Sequence, residues 1–158
     1  MLIPAILKKS EIENKFKCIF YSDDMMYESG GIFNFTPNIK DEPDEGCFQY
    51  AIVDSEQKLI GYFAYNIDWY SSLAYNFGLI SFDKGNCIIG RDVYKELIKL
   101  IDVYHLHRIE WRMVGGNPVE RHYDKFCLRY NGTKHILRDT FKDKFGNYRD
   151  SIIYEILL

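Results

Sequence analysis

The sequence predicts an α/β fold (α+β in some schemes) with a mixed, mostly antiparallel central sheet of about six or seven strands flanked by helices. Three observations predict it. Stretches of helical and of alternating spacing follow one another as helix, hairpin, strand, glycine turn, helix, strand, helix, hairpin. The strand–helix–strand step in the middle requires a crossover, and hence a parallel pair among hairpins. The 158 residues suffice for one core and are short for two, so residues 1–158 read as a single domain.

Each element has its own signal. A first helix is expected over Ser10 to Tyr21, opened by a Ser10/Glu13 capping box, with Ile12, Phe16, Ile19 and Phe20 on one face. A short helical piece over Asp23 to Glu28 follows, ended by Gly30-Gly31. The acidic segment Lys40 to Gly46, with Pro43, reads as an exposed connection. Phe48 to Val53 and Leu59 to Ile67 form a hairpin around the polar turn Asp54 to Lys58, and Leu73 to Phe82 is a third strand. After Asp83-Lys84-Gly85-Asn86 the period changes: Val93, Leu97, Leu100, Ile101 and Tyr104 share a helix face, with Lys95, Glu96, Lys99 and Asp102 opposite. His107 to Val114 alternates with Ile109, Trp111 and Met113 inward. Asn117-Pro118-Val119-Glu120 then supplies a cap, a first-turn proline and a capping-box acid for a helix bearing Val119, Tyr123, Phe126, Cys127 and Tyr130. Asn131-Gly132 stops that helix. Thr133 to Lys142 and Tyr148 to Leu157 close the chain around a Gly146-Asn147 turn.

Composition excludes several function classes. Hydrophobic residues make up 47% and charged residues 27%, which is not the balance of a disordered chain. No apolar run nears the ~20 residues a membrane span needs, and Met1 to Leu7 lacks the basic flank and cleavage site of a secretory signal. The net charge of −3 argues against bulk binding of nucleic acid. Arg138, Lys142, Lys144 and Arg149 are interleaved with Asp139, Asp143 and Asp150, which is the pattern of a solvated face. Cys18, Cys47, Cys87 and Cys127 are far apart, and His105 and His107 have no third ligand nearby, so no metal site is expected. The cysteines read as small buried hydrophobes in a reducing compartment, the cytoplasm.

Chemistry is expected where Leu79-Ile80-Ser81-Phe82 runs through Asp83-Lys84-Gly85-Asn86-Cys87-Ile88-Ile89-Gly90-Arg91 into the amphipathic helix. A glycine-bearing turn that opens a helix aims free amides and the helix dipole at an anion. On spacing alone the plainer reading is a turn needing positive φ at Gly85 and Gly90.

From Phe48 to Leu157 the chain resembles the GCN5-related N-acetyltransferase family, especially its ribosomal-protein and amino-terminal acetyltransferase-like members. Ile88 to Leu97, His107 to Arg112, Tyr123-Asp124-Lys125-Phe126 and the ending Gly146 to Tyr154 carry the resemblance, together with the element order. The resemblance implies an acyl-CoA N-acyltransferase-like fold and transfer of acetyl from acetyl coenzyme A to a primary amine, by direct attack in a ternary complex and without a metal. It implies that Leu79, Ile80, Ser81, Phe82, Lys84, Gly85, Asn86, Ile88, Ile89, Gly90, Arg91, Asn117 and Tyr123 contact the cofactor, with Tyr123 the proton donor to the departing thiolate. Tyr123 also reads as a core filler. Glu110 is a candidate base, or a carboxylate paired with Arg112. Asp68, Trp69 and Tyr70 are a candidate acceptor pocket, an acid among aromatics, or a packed surface loop. The loop departs from the family's pattern: Cys87 stands where Arg or Gln is usual, Asp92 replaces a small residue, and Gly116 falls where asparagine is expected, one place before Asn117. Two other functions suit the same residues, a scaffold that binds without turnover and an unrelated interaction module. A homodimer is compatible with either.

Overall fold

The computed structural model describes residues 1–22, 25–28, 37–42 and 44–158. Its first strand, β1 (Leu2–Pro4), has no counterpart in the expectations above, because three residues are too few to show a period. A 3-10 turn, Ala5–Lys8, runs straight into α1 (Lys9–Phe20), which buries Ile12 and Phe16. The predicted Ser10/Glu13 box does not form. The chain is already coiled when it reaches Ser10, so Lys8 holds the cap position without a side-chain bond. Then come α2 (Met25–Glu28), β2 (Cys47–Val53), β3 (Leu59–Asp68) and β4 (Leu73–Ser81). They are followed by α3 (Cys87–Asp102), β5 (Arg108–Val114), α4 (Glu120–Arg129), β6 (Thr133–Lys142) and β7 (Tyr148–Leu157). Asp23, Gly30, Gly31 and Pro43, each assigned a part in the sequence reading, lie outside the described residues.

The seven described strands form one sheet in the order β1-β2-β3-β4-β5-β7-β6. All neighbours are antiparallel except β4 and β5, which are parallel as the α3 crossover requires. Alternation along the strands splits the core between two faces. Trp111, Met113, Ile152, Tyr154 and Ile156 pack with Val93, Leu100 and Phe126 on the α3/α4 face. Ile80, Tyr62 and Ala51 pack with Ile12 and Phe16 on the α1 face.

Three expectations are corrected by this packing. Glu96 was assigned to the solvent side of α3, yet it is buried, because the helix lies over two strand tyrosines whose hydroxyls it satisfies: Tyr65 Oη donates to Glu96 Oε1 at 2.6 Å and Tyr50 Oη at 3.1 Å. Cys18 and Cys87 are exposed, unlike the buried Cys127, since they fall on the outer face of α1 and the first turn of α3. α4 begins two residues later than Asn117-Pro118 suggests: Asn117 Oδ1 accepts from the Val119 amide at 3.1 Å and so caps a turn ahead of the helix. No helix among the described residues is long and apolar enough to cross a membrane.

Candidate active site

The sheet is not continuous across its middle. β4 follows β3 along its length, but pairs with β5 only at Leu73 with Arg108 and Ala74 with Ile109. Beyond these rungs the strands diverge into a wedge that opens toward Ser81 and Val114. Facing edges that lack a ladder must bond elsewhere, so such a wedge suits an extended ligand with its own amides. The opening starts at a β-bulge. Between Asn66↔Tyr75 and Ala64↔Gly78 the register shifts, and Asn76 has φ +55°.

Each wall carries a buried polar atom with no hydrogen-bond partner among the described residues: Ser81 Oγ on β4 and Trp111 Nε1 on β5. Trp111 is stacked on Tyr154 at 5.0 Å between centroids. Tyr123, projecting from α4, meets the Trp111 ring edge-on at 5.8 Å and Tyr154 at 6.0 Å. Burial, with a smaller push from the Glu28 charge, raises the Tyr123 phenol to about 12.

At the open end, Gly85 turns the chain at φ +85° and Asn86 caps α3, its Oδ1 accepting from the Ile88 amide at 3.0 Å. Such a cap contributes about 1 kcal/mol. The Asn86 carbonyl accepts from the Ile89 amide at 3.2 Å, so two of the first-turn amides that would face an anion are already engaged. A Cβ placed on Gly85 or Gly90 would meet nothing within 4 Å, which leaves room against the backbone there. Gly90 itself lies within the first turn of α3, not in the preceding loop. The Lys84 Nζ lies 3.9 Å from Glu28 Oε1.

Asp92, the departure that would repel a diphosphate, is engaged by two cations. Its carboxylate is buried between Arg91 Nε at 2.9 Å and the Met1 amino group at 2.5 Å. Burial acts to raise its pKa, but the bonds from Arg91 and the amino terminus outweigh that and hold it below the usual carboxylate range. A lowered folded-state pKa adds stability above the unfolded value and loses it as pH falls through the folded one. Asp92→Asn is therefore expected to cost about 1.5–3 kcal/mol at neutral pH, with the deficit against wild type shrinking below about pH 4 in thermal denaturation.

Other predicted site residues are placed elsewhere. Glu110 pairs with Arg108, not Arg112: Arg108 Nη2 lies 2.8 Å from Glu110 and 2.9 Å from Glu155, two carboxylates directly opposite each other on β5 and β7. Like charges on one rung repel, and Arg108 neutralises them near the closed end of the wedge. Arg112 Nε instead donates to Ser151 Oγ at 2.6 Å. Asp68, Trp69 and Tyr70 sit in the β3–β4 turn, separated from the Asp83–Gly90 loop by the nine residues of β4, or roughly 30 Å. There Asp68 accepts from the Tyr70 amide at 2.9 Å and Ser71 Oγ at 2.6 Å, and these bonds lower its pKa. Trp69 Nε1 donates to the Glu45 carbonyl at 2.7 Å, and Tyr70 is fully exposed. This is a turn held by its own hydrogen bonds, and the structure does not bring it to the wedge. Sequence reasoning gave no site role to Glu28, or to the Trp111 indole. Trp111 was legible only as an inward residue, and Glu28 carried no local signal.

Solved structures share this architecture. A spermidine/spermine N-acetyltransferase, SpeG, from Vibrio cholerae, solved in complex with manganese ions, matches with a TM-score of 0.57 and 21% identity, over 72% of this chain and 66% of that one. A K23-Q34 chimera of that Vibrio cholerae protein and hSSAT gives 0.58 at 21%, over 72% and 68%. A probable acetyltransferase gives 0.56 at 19%, over 72% and 63%. The matched region thus spans about two thirds of the length of these neighbours. No family model and no curated protein matches the sequence. The chain has the acyl-CoA N-acyltransferase-like fold of the GCN5-related N-acetyltransferases. Among the described residues no three His, Cys, Asp or Glu side chains converge as a metal site would.

Proposed function

We propose that the chain is an N-acetyltransferase that moves acetyl from acetyl coenzyme A to a primary amine within a ternary complex. The observation that carries this reading is the wedge between β4 and β5, which parts after two rungs and has an unpartnered polar atom on each wall. A pantetheine arm, with two amides, suits those strand edges. Leu79 to Phe82 would hold it along β4, and the α3 start, with Gly85, Asn86 and Gly90, would face the diphosphate, with Lys84 and Arg91 the nearby cations. Acetyl coenzyme A supplies a thioester whose carbonyl carbon is attacked by a neutral amine as thiolate departs. Tyr123 Oη holds the proton that the thiolate sulfur takes, and its ring packs edge-on against Trp111 and Tyr154. The amine's proton passes to solvent, since Glu110 is committed to Arg108. Four free cysteines, two of them exposed, support a reducing compartment such as the cytoplasm.

Calorimetric titration with acetyl coenzyme A, followed by thiol release with a panel of primary amines, tests the reading. Binding and release are expected, and the absence of both would remove it. A second reading, a scaffold that keeps the cofactor but not turnover, is favoured by one observation: the Ile88 and Ile89 amides are already engaged. Binding without thiol release would select it.

A further inference from the structure

We propose that the Trp111 indole is a catalytic hydrogen-bond donor: its Nε1–H donates to the carbonyl oxygen of the bound thioester and stabilises the negative charge that develops there. This rests on the acetyl-transfer reading and adds a residue to it. Trp111 follows Ile109, the last β5 residue that pairs with β4, by two positions, so it stands where the strands have parted. Its side chain packs in the same α3/α4 core as that of Ile109. Across the gap, Phe77 and Leu79 of β4 pack against that core as well.

Trp111 is 7% exposed, and its Nε1 has no hydrogen-bond partner among the described residues. An indole nitrogen can only donate, so the group it lacks is an acceptor. Buried donors without one are unfavourable and uncommon in folded proteins. The neighbouring rings do not supply it. Phe126 has no polar atom, and Tyr154 Oη is spent on Asp124 Oδ1 at 2.7 Å, a carboxylate that Lys134 Nζ holds at 2.8 Å. Tyr123 meets the indole ring edge-on at 5.8 Å between centroids, and its phenol, pushed up to about 12, is itself a donor at neutral pH. The cluster therefore holds two uncommitted donors side by side.

A thioester needs two donors placed in this way. Its sulfur and its carbonyl oxygen are bonded to the same carbon, so a sulfur at Tyr123 Oη puts the oxygen beside the neighbouring ring. As the amine lone pair forms the new C–N bond, the carbonyl electron pair moves onto oxygen. Nε1–H stabilises it there without giving up its proton. The pair then returns, the C–S bond breaks, and the sulfur takes the Tyr123 proton while the amine's proton leaves to solvent, which reprotonates the phenol. The indole is held by its stacking on Tyr154, and a donor fixed before charge develops costs no reorganisation when it does.

The chain has two tryptophans, so its NMR spectrum carries two indole N–H signals, and Trp69→Phe assigns that of Trp111. Trp69 Nε1 already donates to the Glu45 carbonyl and serves as the internal reference. Acetyl coenzyme A, added without amine, is expected to move the Trp111 signal downfield and slow its exchange with deuterated solvent. Coenzyme A, which lacks the acyl carbonyl, is expected to do neither. In the Trp69→Phe chain, benzothienylalanine at position 111 keeps the ring shape and removes the N–H. It is expected to lower kcat on the order of 100-fold, with the Kd for acetyl coenzyme A within about threefold. A Trp111 signal unmoved by acetyl coenzyme A, or moved equally by coenzyme A, overturns the proposal, as does full kcat in the sulfur analogue. The wild-type signals decide the matter if that analogue does not fold. Failure of acetyl coenzyme A to bind is a separate result, which overturns the transfer reading and takes this proposal with it.

Discussion

On the acetyl-transfer reading, Tyr123→Phe is expected to lower kcat by about 100-fold or more, with the affinity for acetyl coenzyme A unchanged. The phenylalanine keeps the ring that packs edge-on against Trp111 and Tyr154, so the melting temperature should stay close to that of wild type. Only the hydroxyl proton is lost. Because burial pushes the phenol up to about 12, the donor remains protonated throughout the working pH range. The sign matters: a raised phenol pKa extends the protonated form upward, so a fall in rate between pH 8 and pH 10 would not come from Tyr123. Stopped assays of thiol release across pH, for wild type and variant, check both points. Full kcat in the variant would reduce Tyr123 to a core residue.

The largest effect on stability is expected at Gly132, where the chain leaves α4 for β6. A Cβ there would stand 2.6 Å from the Glu155 carbonyl oxygen, 2.7 Å from Cys127 Sγ and 2.9 Å from Ile156 Cγ1. The first of these is backbone of β7 and cannot swing aside. Gly132→Ala therefore overpacks the join between helix and sheet, at a cost of about 1–3 kcal/mol or more, and lowers the melting temperature by several degrees. Gly78→Ala is the control, since its Cβ would meet nothing within 4 Å. Equal melting temperatures for the two variants would contradict the packing described here.

What the sequence made legible follows from where information is local. Alternation at Ile109, Trp111 and Met113 and helical spacing at Val93 and Leu100 survive as buried positions because one period suffices to report one face. Glu96 was misplaced because a carboxylate reads as solvent-facing unless the partner hydroxyls of Tyr50 and Tyr65, over thirty residues away in sequence, are known. The same limit governs the candidate site. Tyr123 and the Asn86 turn were visible in their own segments. The placement of Asp68 away from the wedge and the Arg108 clamp on Glu110 depend on which strands part and which pair. No pattern within one segment encodes that.

The bulge at Asn76 also bears on how the wedge stays open. Ala74 and Phe77 both pack into the α3/α4 core although three positions apart, which an uninterrupted strand forbids. Asn76 is thus a spare link: without it Ala74, Tyr75 and Phe77 would still alternate correctly. A chain shortened by that one residue would keep its core and run β4 straight alongside β5, closing the gap between the two strands. The left-handed strain carried by a single asparagine is, on this view, what keeps the sheet unbuttoned.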